Sequence, residues 1–267
     1  MIRDITLGQY YPGESAIHRL DPRVKIIATI AYIVALFIAD NFIGMLTAAI
    51  AVFICVKISR VPFKFILRGL KPILFIIIFT FILNMFMTKG EPLVVLIFGL
   101  TITKEGLRLA VFMAIRLILL IISSSLLTLT TKPISLTDGI ESMLRPLKKI
   151  GVPAHELAMM MTIALRFIPT LLEETDKIMK AQQARGADFE TGSIFHRAKN
   201  LIPILVPLFI SAFRIAQELA MAMEARCYSG GDNRTRMNGM RFCKRDAAAG
   251  VVITLFMAVV IAEGVML

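Results

Sequence analysis

Long apolar runs alternate with short polar breaks through the first half of the chain. "IIATIAYIVALFIAD" predicts a helix spanning a membrane over roughly 24–39, and "FIGMLTAAIAVFICV" predicts a second over roughly 42–58. Only a short turn at Asp40-Asn41 separates them. About 20 apolar residues are what a helix needs to cross the hydrocarbon core. "PILFIIIFTFILNMFM" predicts a third span over 72–87, and "LRLAVFMAIRLILLIISSSLLTLT" a fourth over about 106–130. "AAAGVVITLFMAVVIAEGVML" predicts a last one over 247–266. Between the third and fourth, "TKGEPLVVLIFGLTITKEG" is too short and too broken by Pro92, Gly99 and Gly106 to cross. Its Val, Ile and Thr content suits a small hairpin or a re-entrant piece.

After residue 131 the continuous apolar runs give way to stripes. "PISLTDGIESMLRPLKKIGVP" predicts a short amphipathic helix ending near Gly151, and Pro153 suits the first position of the next. From there Leu157, Met160, Met161, Ala164, Leu165, Ile168, Leu171 and Leu172 recur at helical spacing. Pro169 is expected to kink this helix or restart it near Glu173-Glu174. Gly186 suits the position just past its end. A second stripe runs from Leu201 through Ile204, Leu208, Ala212, Ile215 and Leu219 to Met223 and ends at Arg226. Arg214, Gln217 and Glu218 interrupt it, so the pattern predicts an interfacial or bundle-packed helix rather than a span. Each of these two helices would be roughly 40 Å long.

The expected fold class is an all-α integral membrane protein, with about five transmembrane helices plus a short and two long amphipathic cytoplasmic helices. The expected organisation is a four-span bundle over 1–130, a cytoplasmic region over 131–245 and a last transmembrane helix over 246–267. Composition agrees: 57% of residues are hydrophobic and the mean hydropathy is +0.76, far from an ordinary soluble domain.

The net charge of +11 changes the picture by giving it a direction. No nucleic-acid-binding motif accompanies it, and no nucleic acid partner is expected. Positive charge instead concentrates in cytoplasmic loops. The loop over 57–71 holds Lys57, Arg60, Lys64, Arg68 and Lys71 and no acid, and residues 131–245 carry seventeen Lys and Arg against eleven Asp and Glu. Both are therefore expected inside, with the N-terminus cytoplasmic and the C-terminus external in a cell membrane. "FKFILRGLKP" is basic and amphipathic, a composition suited to anionic lipid.

Candidate chemistry is sparse. Cys55, Cys227 and Cys243 form no CxxC, and His18, His155 and His196 are scattered, so no metal site or disulfide framework is expected. Cys55 reads as a small core residue. There is no GxxxxGK[ST], HExxH or GxSxG, so neither ATP hydrolysis nor any other catalysis is assigned to the chain, and no cofactor is expected. The first twenty residues contain no apolar core, so no signal peptide is expected. Arg116 lies within the fourth span and is a functional candidate by position, although a structural partner would equally explain it. "SSS" at 123–125 allows close helix approach, and Asn84 could bond across helices. In "LDPRVK", Asp21 is expected as an N-cap with Pro22 at the first helical position.

The least ordinary feature is a duplication. Ala184-Arg185-Gly186 and Ala225-Arg226-Cys227 each end a long Met-containing stripe. One such Arg would only complement a helix dipole. Two, on the same predicted side and flanked by small residues, suit guanidinium groups that reach into a partner's groove and form bidentate bonds to a carboxylate. Two other classes stay open. An intramembrane enzyme would need clustered His, Glu, Asp or a Ser/Lys pair, and a stand-alone secondary transporter would need matched halves with buried acids.

"HRLDPRVKI", "MTIALRFIPTLLEE", "KAQQARGADF" and "EARCYSGG" together resemble the transmembrane T component of energy-coupling factor (ECF) transporters, the CbiQ family. The resemblance covers essentially the whole chain. It implies a scaffold whose two long cytoplasmic coupling helices dock on two ABC ATPase subunits. It also implies that the scaffold holds a separate membrane protein, the S component, which captures a vitamin or metal ion. By this resemblance Ala184, Arg185 and Gly186 form one docking motif, and Ala225 and Arg226 the other. Cys227 stands where the pattern has Gly, which leaves the backbone of the second motif open.

Overall fold

In the computed structural model, residues 10–88, 92–95, 101–187, 189, 194–230, 239–240 and 242–266 are described. Among them the chain forms nine α-helices: α1 (Pro22–Ile38), α2 (Phe42–Ser59), α3 (Phe63–Leu70), α4 (Leu74–Met87), α5 (Lys104–Thr130), α6 (Pro133–Leu144), α7 (Ala154–Ala184), α8 (Ile194–Ala225) and α9 (Lys244–Met266). Strands β1 (Pro92–Val95) and β2 (Thr101–Thr103) pair antiparallel between α4 and α5. The segment is thus a hairpin, not a re-entrant piece, and its tip lies outside the described residues. Among the described residues the protein is all-α apart from this pair.

The chain divides into two compact units, one over residues 140–238 and one over 8–139 with 239–267. In the second unit, α1 starts as its sequence demands. Asp21 Oδ1 accepts from the Arg23 amide at 2.9 Å and Pro22 occupies the first turn, where its missing N–H costs nothing. Tyr32, Leu36, Met45, Ala48, Val52, Val56, Ile66, Leu119, Leu126 and Leu129 form the core among α1, α2, α3 and α5. Ala35 and Ala39 pack on Val260 of α9. Large apolar side chains also cover the outside, among them Phe37, Phe53, Phe75 and Val252. This is what lipid as solvent permits.

Five described helices are long and apolar enough to cross a membrane: α2, α5, α7, residues 201–225 of α8 and residues 244–264 of α9. The number matches the expectation but the membership does not. At 17 residues α1 is just short, and α4 reaches span length only together with α3, from which it bends by 58°. By length and composition α7 and α8 pass as well, although the polar residues within them argued otherwise.

Two clusters tie helix ends together. At one, Lys25 Nζ donates to the carbonyls of Thr130 (2.9 Å) and His18 (3.1 Å) and so satisfies the C-terminus of α5. Beside it the buried Asp246 accepts from the Asp21 amide and the Cys243 amide, each at 2.8 Å. Asp246 thereby closes half a capping box on α9 and joins the starts of α1 and α9. Nearby, His18 Nδ1 meets Ser15 Oγ at 2.7 Å and Nε2 meets the Tyr11 carbonyl at 3.1 Å. Burial, with the Lys25 charge in support, holds the His18 imidazole below the ordinary histidine range, against the opposing pull of the Tyr11 bond.

At the other cluster Arg116 has a structural task. Its guanidinium donates to the Ala39 carbonyl at 3.0 Å and to Asp40 Oδ1 at 3.2 Å, and it lies over the Phe37 and Phe112 rings. It satisfies the end of α1 and pins the α1–α2 turn.

Three expectations need correction. Asn84 bonds the Thr80 carbonyl of its own helix at 2.9 Å, not a neighbour's. Cys55 faces outward rather than into the core. Pro169 does not restart a helix: α7 runs unbroken from Ala154 to Ala184, because one proline removes a single backbone bond and the flanking turns hold.

Candidate functional site

The unit over 140–238 carries both Ala-Arg-small tips. It opens with the end of α6 and a 3₁₀ turn over Arg145–Ile150, where Pro146 cannot continue the α-helix. Gly151, at φ 89°, reverses the chain into α7. His155 Nδ1 meets Glu141 Oε1 at 3.1 Å and anchors the α7 start to α6.

The end of α7 is a Schellman cap. The Gly186 amide donates to the Gln183 carbonyl (3.0 Å) and the Ala187 amide to the Gln182 carbonyl (3.0 Å), with Gly186 left-handed at φ 87°. The end of α8 repeats it bond for bond. The Cys227 amide donates to the Glu224 carbonyl (2.8 Å) and the Tyr228 amide to the Met223 carbonyl (3.0 Å), with Cys227 at φ 55°. Cys227 therefore keeps the backbone geometry that a Gly would take there. In both tips Arg is the half-helical capping residue and Ala the last helical one. Small neighbours and the tight cap leave each Arg prominent: Ala184, Arg185, Gly186, Ala225, Arg226 and Cys227 are all exposed. Among the described residues neither guanidinium has an ion-pair partner. Each tip thus presents an exposed cation from a backbone closed by its cap.

The left-handed cap gives a local prediction. A Cβ in that region costs about 1–2 kcal/mol relative to Gly. Cys227→Gly should raise thermal stability in detergent slightly, and Gly186→Ala should lower it by about 1 kcal/mol. Open space surrounds Gly186, so a clash cannot be the reason. Equal melting of Gly186→Ala and wild type would refute the cap.

Where the tips sit relative to one another follows from two contacts. Gln182, one turn before the first tip, donates from Nε2 to the Pro203 carbonyl of α8 at 3.3 Å. That carbonyl is free because Pro207, four residues on, has no N–H to give it. Further along, Ile163, Phe167 and Leu171 of α7 share an apolar groove with Ala212, Ala216 and Leu219 of α8. The helices therefore run past each other in opposite senses. From Pro203 to Ala225 α8 rises on the order of 30 Å, so the two Arg tips stand about that far apart. No single small ligand would touch both. Gln182 and Pro207 escaped sequence reasoning; a proline one turn after another inside an apolar stripe was the available signal. Met160 and Met221 are exposed on these helices, as a surface that must repack would use them.

The CbiQ family, described as cobalt transport protein, matches residues 13–237, a range that contains both tips. The chain is 60% identical over 253 residues to the "Energy-coupling factor transporter transmembrane protein EcfT" of Clostridium kluyveri, covering 94% of this chain and 93% of that one. It is 58% identical over 254 residues to the protein of that name from Thermosediminibacter oceani (95% and 96% covered) and 46% identical over 260 residues to that of Bacillus subtilis (96% of each). The chain belongs to the CbiQ family. It is a non-catalytic, multi-pass transmembrane component of an energy-coupling factor transporter.

Proposed function

We propose that this chain couples ATPase movement to a substrate-capturing partner through α7 and α8, each docking one ABC ATPase subunit by its Arg tip. The observation that carries this reading is the pair of matching caps, each presenting an exposed Arg with no ion-pair partner among the described residues, about 30 Å apart at opposite ends of two crossing helices. Two cations so placed fit two separate acidic grooves better than one. In this reading residues 131–245 lie at the cytoplasmic face, 1–130 form the membrane bundle and 246–267 the last span. The N-terminus is inside and the C-terminus outside. Support comes from the seventeen basic residues in the middle region and from Arg214, Glu218 and Glu224 along α8, which suit an aqueous surface. A separate S component would capture the solute, a vitamin or a metal ion. Among the described residues no group of three His, Cys, Asp or Glu gathers.

Two measurements test the reading. Affinity-tagged chain from its own cells should bring down two ABC ATPase subunits and a small membrane protein, and purification of the chain alone under mild detergent would count against it. Calorimetry on the isolated chain should show no saturable sub-micromolar binding of a vitamin or divalent metal. A tight isotherm would instead favour a stand-alone secondary transporter.

A further inference from the structure

The elbow between α2 and α4 is a charged surface that docking on ATPases leaves unused. Lys57, Arg60, Lys64, Arg68 and Lys71 are all exposed, and among the described residues none has an ion-pair partner. Their placement is set by packing on the opposite side of α3. Ile66 is fully buried, and a Cβ on Gly69 would stand 2.8 Å from Ser125 Oγ of α5. That close approach fixes which way α3 faces. At 100° per residue, Lys64, Arg68 and Lys71 then fall on one stripe away from the core. Exposed apolar groups border the stripe on both sides, Phe63 and Leu67 on one and Phe65 on the other. The Arg68 guanidinium lies over the Phe65 ring at 5.4 Å, and the Lys57 ammonium over Phe53 at 5.0 Å. Each cation is therefore held beside an apolar ring.

The chain itself locates this surface. Three residues separate α3 from the membrane helix α2, and α3 with α4 makes the bent pair that is apolar enough to span. An eight-residue helix so tethered lies at the lipid boundary. A basic stripe edged by Phe and Leu matches a layer whose headgroups are anionic and whose acyl chains begin directly below. We propose that this elbow binds the headgroups of anionic phospholipids, through Lys64, Arg68 and Lys71 with Lys57 and Arg60 at the rim. The partner is a lipid leaflet, and the consequence is a fixed depth for α3 and α4. The inference depends on membrane insertion alone, so it stands or falls separately from the docking role of the tips.

The chain has no Trp, which makes a clean test possible. Full-length Phe63→Trp protein is reconstituted in phosphatidylcholine vesicles, and its fluorescence is quenched with brominated phosphatidylglycerol or brominated phosphatidylcholine. The relative binding constant at this elbow reporter is expected to favour phosphatidylglycerol about five-fold at low salt, the effect of one basic residue at an anionic surface. It should fall towards unity at about 0.5 M salt, and likewise when Lys64→Gln, Arg68→Gln and Lys71→Gln are added. A Val251→Trp reporter on the exposed face of α9 should show no preference. No preference at the elbow, an equal preference at α9, or a preference that survives both salt and the triple substitution would overturn the proposal. Salt and the α9 reporter decide it even where the triple variant does not reconstitute.

Discussion

Reversing both tip charges, Arg185→Glu with Arg226→Glu, is expected to abolish solute uptake while the chain still folds and inserts. Both side chains are exposed, and among the described residues neither has an ion-pair partner, so the reversal is expected to leave the fold intact. If each guanidinium meets a carboxylate in an ATPase groove, the change removes charged hydrogen bonds worth about 1.5–3 kcal/mol each. It also sets like charges together in a partly desolvated contact, for a total of several kcal/mol per site. Because the tips stand apart, each single reversal should weaken only one docking contact. The two caps have the same bonds, so the single variants should be harmed to a similar degree despite Gly186 on one side and Cys227 on the other. ATPase pull-down and solute uptake, with expression measured alongside, check this. Wild-type uptake by the double variant would show the tips to be only solvated helix ends.

Asp246→Ala is expected to have the largest effect on stability, a loss of about 2–6 kcal/mol from two backbone donors left without their acceptor. Asp246 is buried and accepts from two backbone amides that belong to helices more than 200 residues apart in sequence. Without the carboxylate both donors are left without their acceptor, and the joint between the starts of α1 and α9 opens. Asp246→Asn keeps one side-chain oxygen and should lose roughly half as much. Thermal unfolding of the purified chain in detergent measures both. Melting of Asp246→Ala within a degree or two of wild type would show that α9 is held by its apolar contact with Ala35 and Ala39 alone.

Much of the candidate docking site was legible in the linear pattern of residues. A helical stripe, an Arg and a following Gly are local features, and their caps form from bonds within six residues. The same locality explains the one uncertainty that the fold removed. Gly186 announces a left-handed residue, whereas Cys227 does not, and its φ of 55° follows from the amides of Cys227 and Tyr228 closing on α8. Gln182 was not legible as a link, since its bond needs a carbonyl freed by Pro207 on another helix. Pro169 misled for a related reason. Pro169, Pro203 and Pro207 each forbid one bond, but whether a helix survives depends on what packs along it.

The sequence by itself determined the membrane class, the helical runs, the basic elbow and the duplicated Arg tips. All of these depend on composition or on spacing within a few turns. Only the tertiary structure decided that α7 and α8 pass in opposite senses, which sets the tips apart. It alone turned Arg116 from a candidate for function into the cap on the end of α1. It also brought α9 to α1 through Asp246. In an apolar chain many faces are equally greasy, so hydrophobicity does not select which helix meets which. The choice falls to a few buried polar groups that must each find a partner, and such partners lie far away in sequence.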